Sequence, residues 1–96
     1  MSHLVWIDLE MTGLDIKRDK IIEIATVITD TELNIVATGP NLVIHQPSAA
    51  LTNLDPWVEK THSESGLLER VRNSELTTQD AMLSTLAFNE PHAEPQ

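Results

Sequence analysis

Three apolar runs of strand length occupy the first half of the chain, and their alternation predicts a sheet. Residues 4–9 read LVWIDL, residues 21–29 are apolar and β-branched, and residues 33–44 form a third run that contains Gly39 and Pro40. Short runs rich in Val, Ile and Trp are typical of strands. We expect the first strand to be buried, and the third to lie at an edge or carry a bulge because proline has no amide hydrogen. The pattern predicts an antiparallel meander.

Helix signals replace the strand pattern after Pro47. Asp55 and Pro56 place a capping residue before a proline at the first helical position, which predicts a short helix over residues 57–62 that is closed by Gly66. Residues 67–72 are predicted to add another turn or two.

A second clear helix is predicted to begin at a capping box and to end about Phe88. Thr77 is followed three residues later by Asp80, as in such a box. An apolar stripe at helical spacing follows, comprising Ala81, Met82, Leu83, Leu86, Ala87 and Phe88. Residues 89–96 contain two prolines and no large apolar side chain, so we expect a disordered, solvated tail. The predicted division is a folded domain over 1–88 and a tail over 89–96.

The amino-acid composition limits the kinds of functional site that the chain can contain. The chain has 96 residues, no cysteine, six Lys or Arg and 15 Asp or Glu, for a net charge of −9. Thiolate metal sites and cysteine nucleophiles are excluded. No apolar run is long enough for a membrane span, and no secretory signal is recognisable, so a cytoplasmic location is expected. Six scattered cations cannot neutralise many phosphates, which leaves only a short nucleic acid bridged by metal ions as a nucleic-acid ligand.

Two acids at the end of the first strand are the strongest candidate for chemistry. Alternation places Asp8 and Glu10 on one face, and carboxylates are the ligands that hard divalent cations prefer. Asp8 lies within the apolar run, where a buried carboxylate needs a cation or hydrogen-bond donors. The alternative is two acids where a strand emerges into water. Glu23, the nearest further acid along a strand, is interpreted as structural or solvent-facing.

The short helix offers a second candidate. His62 lies on it with Trp57, and aromatic and imidazole rings can contact the bases or phosphates of single strands. Ordinary packing is the more frequent role for such residues, and both interpretations stay open.

Several ordered segments resemble the oligoribonuclease family of DEDD (DnaQ-like) exonucleases. The first two are WIDLEMTGLD, at residues 6–15, and DKIIEIATVITD, at residues 19–30. The similarity continues through LNIVATGPNLVIHQP at 33–47, LDPWVEKTHSESGL at 54–67 and STLAF at 84–88. It covers nearly the whole chain except the tail.

This resemblance implies an α+β or α/β architecture, the N-terminal portion of a ribonuclease H-like fold with three antiparallel strands followed by helices. It implies that Asp8 and Glu10 are catalytic ligands of two Mg²⁺ or Mn²⁺ ions. The implied activity is 3′-to-5′ hydrolysis of short single-stranded oligoribonucleotides to mononucleotides by a homodimer. Leu14 falls on a residue that wedges between bases, and Trp57 and His62 fall on residues near the 3′ nucleotide.

The sequence also departs from that family. Two further metal-binding aspartates, the histidine general base and the residues that bind the 5′ phosphate have no counterpart here. We therefore expect a truncated or frameshifted chain with little independent activity, whose first strand, central in the intact fold, has a bare second edge. The alternatives are a non-catalytic interaction fragment that pairs through this edge and a decayed product.

Overall fold

The first half of the chain forms strands and the second half forms helices. The computed structural model describes residues 2–15, 17–52 and 54–92. The strands are β1 (His3–Met11), β2 (Ile21–Asp30) and β3 (Ile35–Val43), and the α-helices are α1 (Pro56–Glu64), α2 (Leu67–Asn73) and α3 (Thr78–Asn89). Two short 3-10 helices span Ser48–Leu51 and Glu90–His92. None of the helices in these described ranges is long and apolar enough to cross a membrane.

The three strands form an antiparallel meander, which confirms the predicted order. The sheet order is β1-β2-β3, so β3 lies at an edge. Ala25 pairs with Asn41 and Val27 with Thr38, which leaves Gly39 and Pro40 opposite a single residue of β2. This extra residue is the predicted bulge, and it places the proline where the ladder requires no amide hydrogen.

The core lies on one face of β2. Every second residue from Ile22 to Ile28 is buried. Ile22 packs in a cluster with residues of the first 3-10 helix and α2, namely Leu51, Leu67, Leu68 and Val71. Ile24 packs with Ile44 and with Ala81 of α3. The helices therefore cover this face of the sheet.

The prediction that the first strand is buried was wrong. The apolar side chains of residues 4–9 are 38–51% exposed, and Asp8 is exposed as well. The reason is position: β1 is the terminal strand of the sheet, with β2 on one side. Its composition favours an extended backbone, but burial also requires a neighbouring element. Among the described residues no strand pairs with the other edge of β1, as expected for a bare edge. The argument that Asp8 needs a partner because it is buried no longer applies.

The predicted cap signals of α1 are confirmed, although the helix spans Pro56–Glu64 rather than residues 57–62. The Asp55 carboxylate accepts a hydrogen bond from the Trp57 amide at 2.9 Å, and Pro56 occupies the first turn. Gly66 follows the helix with a φ of 77°, in the left-handed region that glycine enters without steric cost.

The capping box of α3 is confirmed, but its apolar stripe is not a buried face. The Thr77 hydroxyl accepts from the Asp80 amide at 3.0 Å, and the Asp80 carboxylate accepts from the Thr77 amide at 3.4 Å. The buried positions are Ala81 and Thr85. Met82, Leu83 and Leu86 are 54–62% exposed, because the helix turns them away from the sheet. The prediction grouped apolar residues that lie on different sides of the helix.

The predicted solvated tail differs from the structure over its first residues. Helix α3 continues to Asn89, and Glu90–His92 forms a 3-10 turn. The His92 carbonyl oxygen lies 3.2 Å from His3 Nδ1, so this turn is tied to the start of β1. Residues 93–96 of the predicted tail lie outside the described residues. The division into 1–88 and 89–96 stays a prediction.

The position of the core predicts unequal effects of one substitution at two strand positions. Ile22 is fully buried, whereas Ile7 of β1 is 50% exposed. Ile22→Val should lower the free energy of unfolding by about 1 kcal/mol through the cavity it leaves. Ile7→Val, its matched control, should change it by less than about 0.5 kcal/mol. Urea denaturation measures both, and equal losses would contradict the placement of the core on β2.

Candidate active site

A cleft of about 550 Å³ opens where the C-terminal end of β1, the following loop and α1 meet. Four of the five predicted site residues line it: Glu10, Leu14, Trp57 and His62. Asp8 lies outside this lining. The fold thus joins residues of two distant chain segments in one concavity, which is where binding sites usually form.

Asp8 and Glu10 occupy alternate positions of β1 and therefore share a face of the sheet. Asp8 pairs with Ala25 across the ladder, and Glu10 pairs with Glu23. Directly opposite residues of antiparallel strands place their side chains side by side, and like charges there repel. A bound cation would relieve this repulsion. Glu23 was interpreted from the sequence as structural or solvent-facing. In the structure it is half-buried and lies opposite Glu10.

These carboxylates fit part of a cation site. Their oxygens are hard donors, and no hydrogen bond within the described ranges occupies the carboxylate of Asp8 or Glu10. Over the same ranges, no group of three or more acidic or histidine side chains is close enough to hold a metal ion. A cation on this face would therefore find at most two of these carboxylates among the described residues, too few for a complete site.

His62 joins α1 to the end of β1. Its side chain is buried, and Nε2 lies 3.2 Å from the Met11 carbonyl oxygen and 3.9 Å from Glu10 Oε2. A carbonyl only accepts, so Nε2 carries the hydrogen and donates it to Met11. This contact supports the packing interpretation of His62 and places its ring beside the Glu10 carboxylate.

Asp19 holds the loop between β1 and β2, a role that the sequence did not reveal. Its carboxylate accepts from the Asp15 amide at 2.9 Å and from the Thr12 hydroxyl at 3.0 Å. The Thr12 hydroxyl in turn accepts from the Lys20 amide at 2.9 Å. The Asp15 amide, more than any other group, lowers the pKa of Asp19, with Thr12 and Arg18 acting in the same direction against partial desolvation.

Close packing at Gly13 presents Leu14 to solvent. A Cβ at position 13 would lie 2.7 Å from Asp19 Cγ, so this position accepts no side chain unless the carboxylate moves. Leu14 beyond it is 90% exposed, and Trp57 on the α1 side of the cleft is 71% exposed. Exposed apolar side chains on a cleft lined also by acids are suited to contact flat, partly polar ligands such as nucleobases.

Comparison with known proteins agrees with this geometry. A family model described as an exonuclease matches residues 5–94. The chain belongs to the exonuclease family. Its three-stranded antiparallel sheet followed by helices is consistent with the N-terminal portion of the ribonuclease H-like fold. Exonucleases of this family generally depend on divalent metal ions.

Curated relatives of this exonuclease-family chain are oligoribonucleases. Those from Vibrio campbellii and Acinetobacter baylyi are 56% identical over 89 residues and 55% identical over 95 residues. The alignments cover 93% and 99% of this chain, but 49% and 52% of the relatives. The oligoribonuclease of Haemophilus ducreyi is 57% identical over 87 residues, or 91% of this chain and 48% of its own. The chain spans about half the length of the curated relatives it matches.

The lowered pKa of Asp19 predicts how the cleft loop responds to acid. A carboxyl whose pKa is depressed on folding stabilises the fold above its unfolded value, 3.8, and this contribution is lost as pH falls through the folded pKa. The amide signal of Asp15 should therefore shift in NMR spectra with a midpoint below pH 3.8. Asp19→Asn is the control and should abolish this transition. A midpoint at or above 3.8 would contradict the proposed network.

Proposed function

We propose that this chain provides the N-terminal part of a 3′-to-5′ exoribonuclease of the oligoribonuclease type. The substrates would be short single-stranded oligoribonucleotides, degraded to mononucleotides in the cytoplasm by a homodimeric enzyme. One observation carries the proposal: Glu10 and Leu14 at the end of β1 and Trp57 and His62 of α1 line one cleft, in a chain of the exonuclease family.

The proposed metal ligands are Asp8 and Glu10, which would hold Mg²⁺ or Mn²⁺ on the shared face of β1. When bound, such ions polarise a phosphoryl oxygen and activate water for attack on phosphorus. The protein's contribution is to fix the donors. Glu10 lies in the regular ladder opposite Glu23, and the register shifts immediately after it, between Glu10 and Met11. The strand ends one residue later, at Met11, beside the cleft that Glu10 lines.

Leu14, Trp57 and His62 are the proposed binding residues for the terminal nucleotides. The exposed indole and isobutyl side chains offer apolar surface on two sides of the cleft, and base stacking on aromatic rings tolerates any sequence. His62 combines two tasks in this proposal. Its Nε2 hydrogen holds the end of β1 through Met11, and its ring contributes to the cleft wall next to Glu10.

The 96-residue chain by itself should hydrolyse RNA slowly or not at all. Phosphodiester hydrolysis by two metal ions needs more ligands than two carboxylates and a group that accepts a proton. His62 already directs its Nε2 hydrogen to Met11, and no cluster of three ligands occurs within residues 2–15, 17–52 and 54–92. We expect the chain to bind the cation more readily than it catalyses the reaction.

Manganese binding tests the metal ligands without requiring turnover. Paramagnetic Mn²⁺ should broaden the backbone amide signals of residues 8–10 in NMR spectra, because the ion would lie against their side chains. Asp8→Asn and Glu10→Gln should each remove the broadening. Glu69 is an exposed residue of α2, so Glu69→Gln removes a carboxylate charge away from β1 and should leave the broadening unchanged. Broadening that survives both β1 substitutions would contradict the assignment.

A turnover measurement complements the binding experiment. The purified chain is incubated with a 5′-labelled diribonucleotide and Mn²⁺, and no product is expected above the level of the Asp8→Ala variant. Robust hydrolysis that Asp8→Ala abolishes would confirm the ligands and overturn the expectation of an inactive chain. Equal background in both proteins is the result that the proposal requires.

A second candidate function is an interaction fragment that pairs through the edge of β1. The specific observation is the free edge of a terminal strand whose apolar side chains are 38–51% exposed. Such an edge offers unpaired backbone groups to another strand. Size-exclusion chromatography should then show association that increases with concentration and that Ile7→Lys weakens. A concentration-independent monomer would exclude pairing with a second copy.

A further inference from the structure

The loop that borders the cleft carries half of the basic residues of this acidic chain. Three of the six Lys and Arg residues, Lys17, Arg18 and Lys20, lie within four positions of the loop that precedes β2. Arg18 is the single Lys or Arg that lines the cleft within the described part of the chain, whereas several carboxylates do so. An anionic ligand that enters the cleft therefore meets one guanidinium among acids.

Arg18 lies where two cavities meet. It lines the cleft and also a second cavity of about 350 Å³, whose lining includes Ala49, Ala50, Thr52 and Leu54. Thr12 and Asp19 are shared by both linings, and Lys20 lines the second cavity. A ligand longer than the cleft can thus continue past Arg18 toward a second positive charge.

The loop holds Arg18 in position but leaves its charge accessible. Arg18 Nε lies 3.7 Å from Asp19 Oδ1, and the Arg18 amide donates to the Asp15 carbonyl at 3.1 Å. The arginine side chain is 75% exposed, whereas that of Asp19 is 8% exposed and held by Thr12 and the Asp15 amide. At this Nε separation there is no hydrogen bond, so the guanidinium keeps its donors, and the planar geometry of its terminal NH₂ groups suits a phosphate.

We propose that Arg18 binds a backbone phosphate of a nucleic-acid strand that passes from the cleft into the second cavity. This inference rests on the proposed function, because it assumes an oligonucleotide ligand, and it adds a contact that extends the binding site beyond the nucleotides next to Glu10. Asp19 holds the loop through Thr12 and the Asp15 amide, and its carboxylate lies near the guanidinium.

The test measures binding of fluorescein-labelled pentaadenylate to the whole chain by fluorescence anisotropy. Mg²⁺ is present at one fixed concentration for every variant, because the proposed function needs a bridging cation, and analysis of the label after each titration checks that the strand stays intact. Arg18→Gln should weaken binding about five- to tenfold and reduce the salt dependence by about one counterion, as expected when one phosphate contact is lost. Arg72→Gln removes the same charge from the last turn of α2, outside both cavities, and should change the affinity less than about twofold.

Oligonucleotides with one uncharged backbone linkage distinguish a specific contact at Arg18 from general electrostatic attraction. Pentaadenylates that each carry one methylphosphonate in place of a phosphate are measured with the original chain and with Arg18→Gln. At the linkage that Arg18 contacts, the neutral analogue should bind the original chain more weakly than unmodified pentaadenylate does. The Arg18→Gln variant should bind both ligands with the same affinity. Losses that add at every linkage would overturn the contact.

The outcomes distinguish failure of the Arg18 contact from failure of the proposed function. If the chain fails to bind pentaadenylate, the nucleic-acid function fails, and the inference fails with it. If the chain binds and Arg18→Gln and Arg72→Gln weaken binding equally, only the role of Arg18 is refuted. Circular dichroism of both variants should match that of the original chain, and the Asp15 amide signal in NMR spectra should remain in place, which shows that the loop is intact.

Discussion

Burial of one face of β2 beneath α2 and α3 is the contact on which the rest of the structure depends. Ile22 and Ile24 join the two apolar clusters that attach the helices to the sheet. Because β2 is the middle strand, this packing fixes the strands on both sides of it through their ladders. The face that carries Asp8 and Glu10 is the opposite one. The core therefore stabilises the scaffold while leaving the acidic face of β1 open to ligands.

Local contacts then form the cleft at the end of β1. His62 connects α1 to the Met11 carbonyl, and Asp19 connects the loop to Thr12 and the Asp15 amide. Each contact joins a polar side chain to backbone or to a hydroxyl, so the strand end, the loop and the helix keep defined relative positions. Rigid placement matters for binding, because ordering a loose loop around a ligand would subtract from the affinity.

The sequence predicted elements whose signals are local. The cap at Asp55, the capping box at Thr77 and the bulge around Pro40 each depend on a few neighbouring residues, and all three are present. Burial depends on which elements meet, and here the predictions failed: an apolar composition did not distinguish β1 from a buried strand. The exposed side of α3 was missed for the same reason.

The candidate site was predictable to a similar extent. The residue pattern singled out Asp8, Glu10, Trp57 and His62, and the family resemblance added Leu14. The structure places four of these five in one cleft, with Asp8 on the neighbouring part of β1. Asp19 and Arg18 were missed because their roles come from hydrogen bonds across the loop and from the junction of two cavities. In the sequence they are two charges in a charged loop, a pattern that also describes an ordinary solvated turn.

Charge distribution explains how an acidic chain could favour short anionic ligands. At physiological ionic strength the field of a surface charge is screened over about 8 Å, so the net charge of −9 repels a phosphate mainly where carboxylates are close. The cleft is lined by four carboxylates, those of Glu10, Asp15, Asp19 and Asp55, and the guanidinium of Arg18 and the proposed cation would offset their charge locally. A long polyanion would extend beyond these two compensating charges onto an uncompensated acidic surface. A ligand with a few phosphates would not, so the proposed site would repel a short oligonucleotide less than a long one.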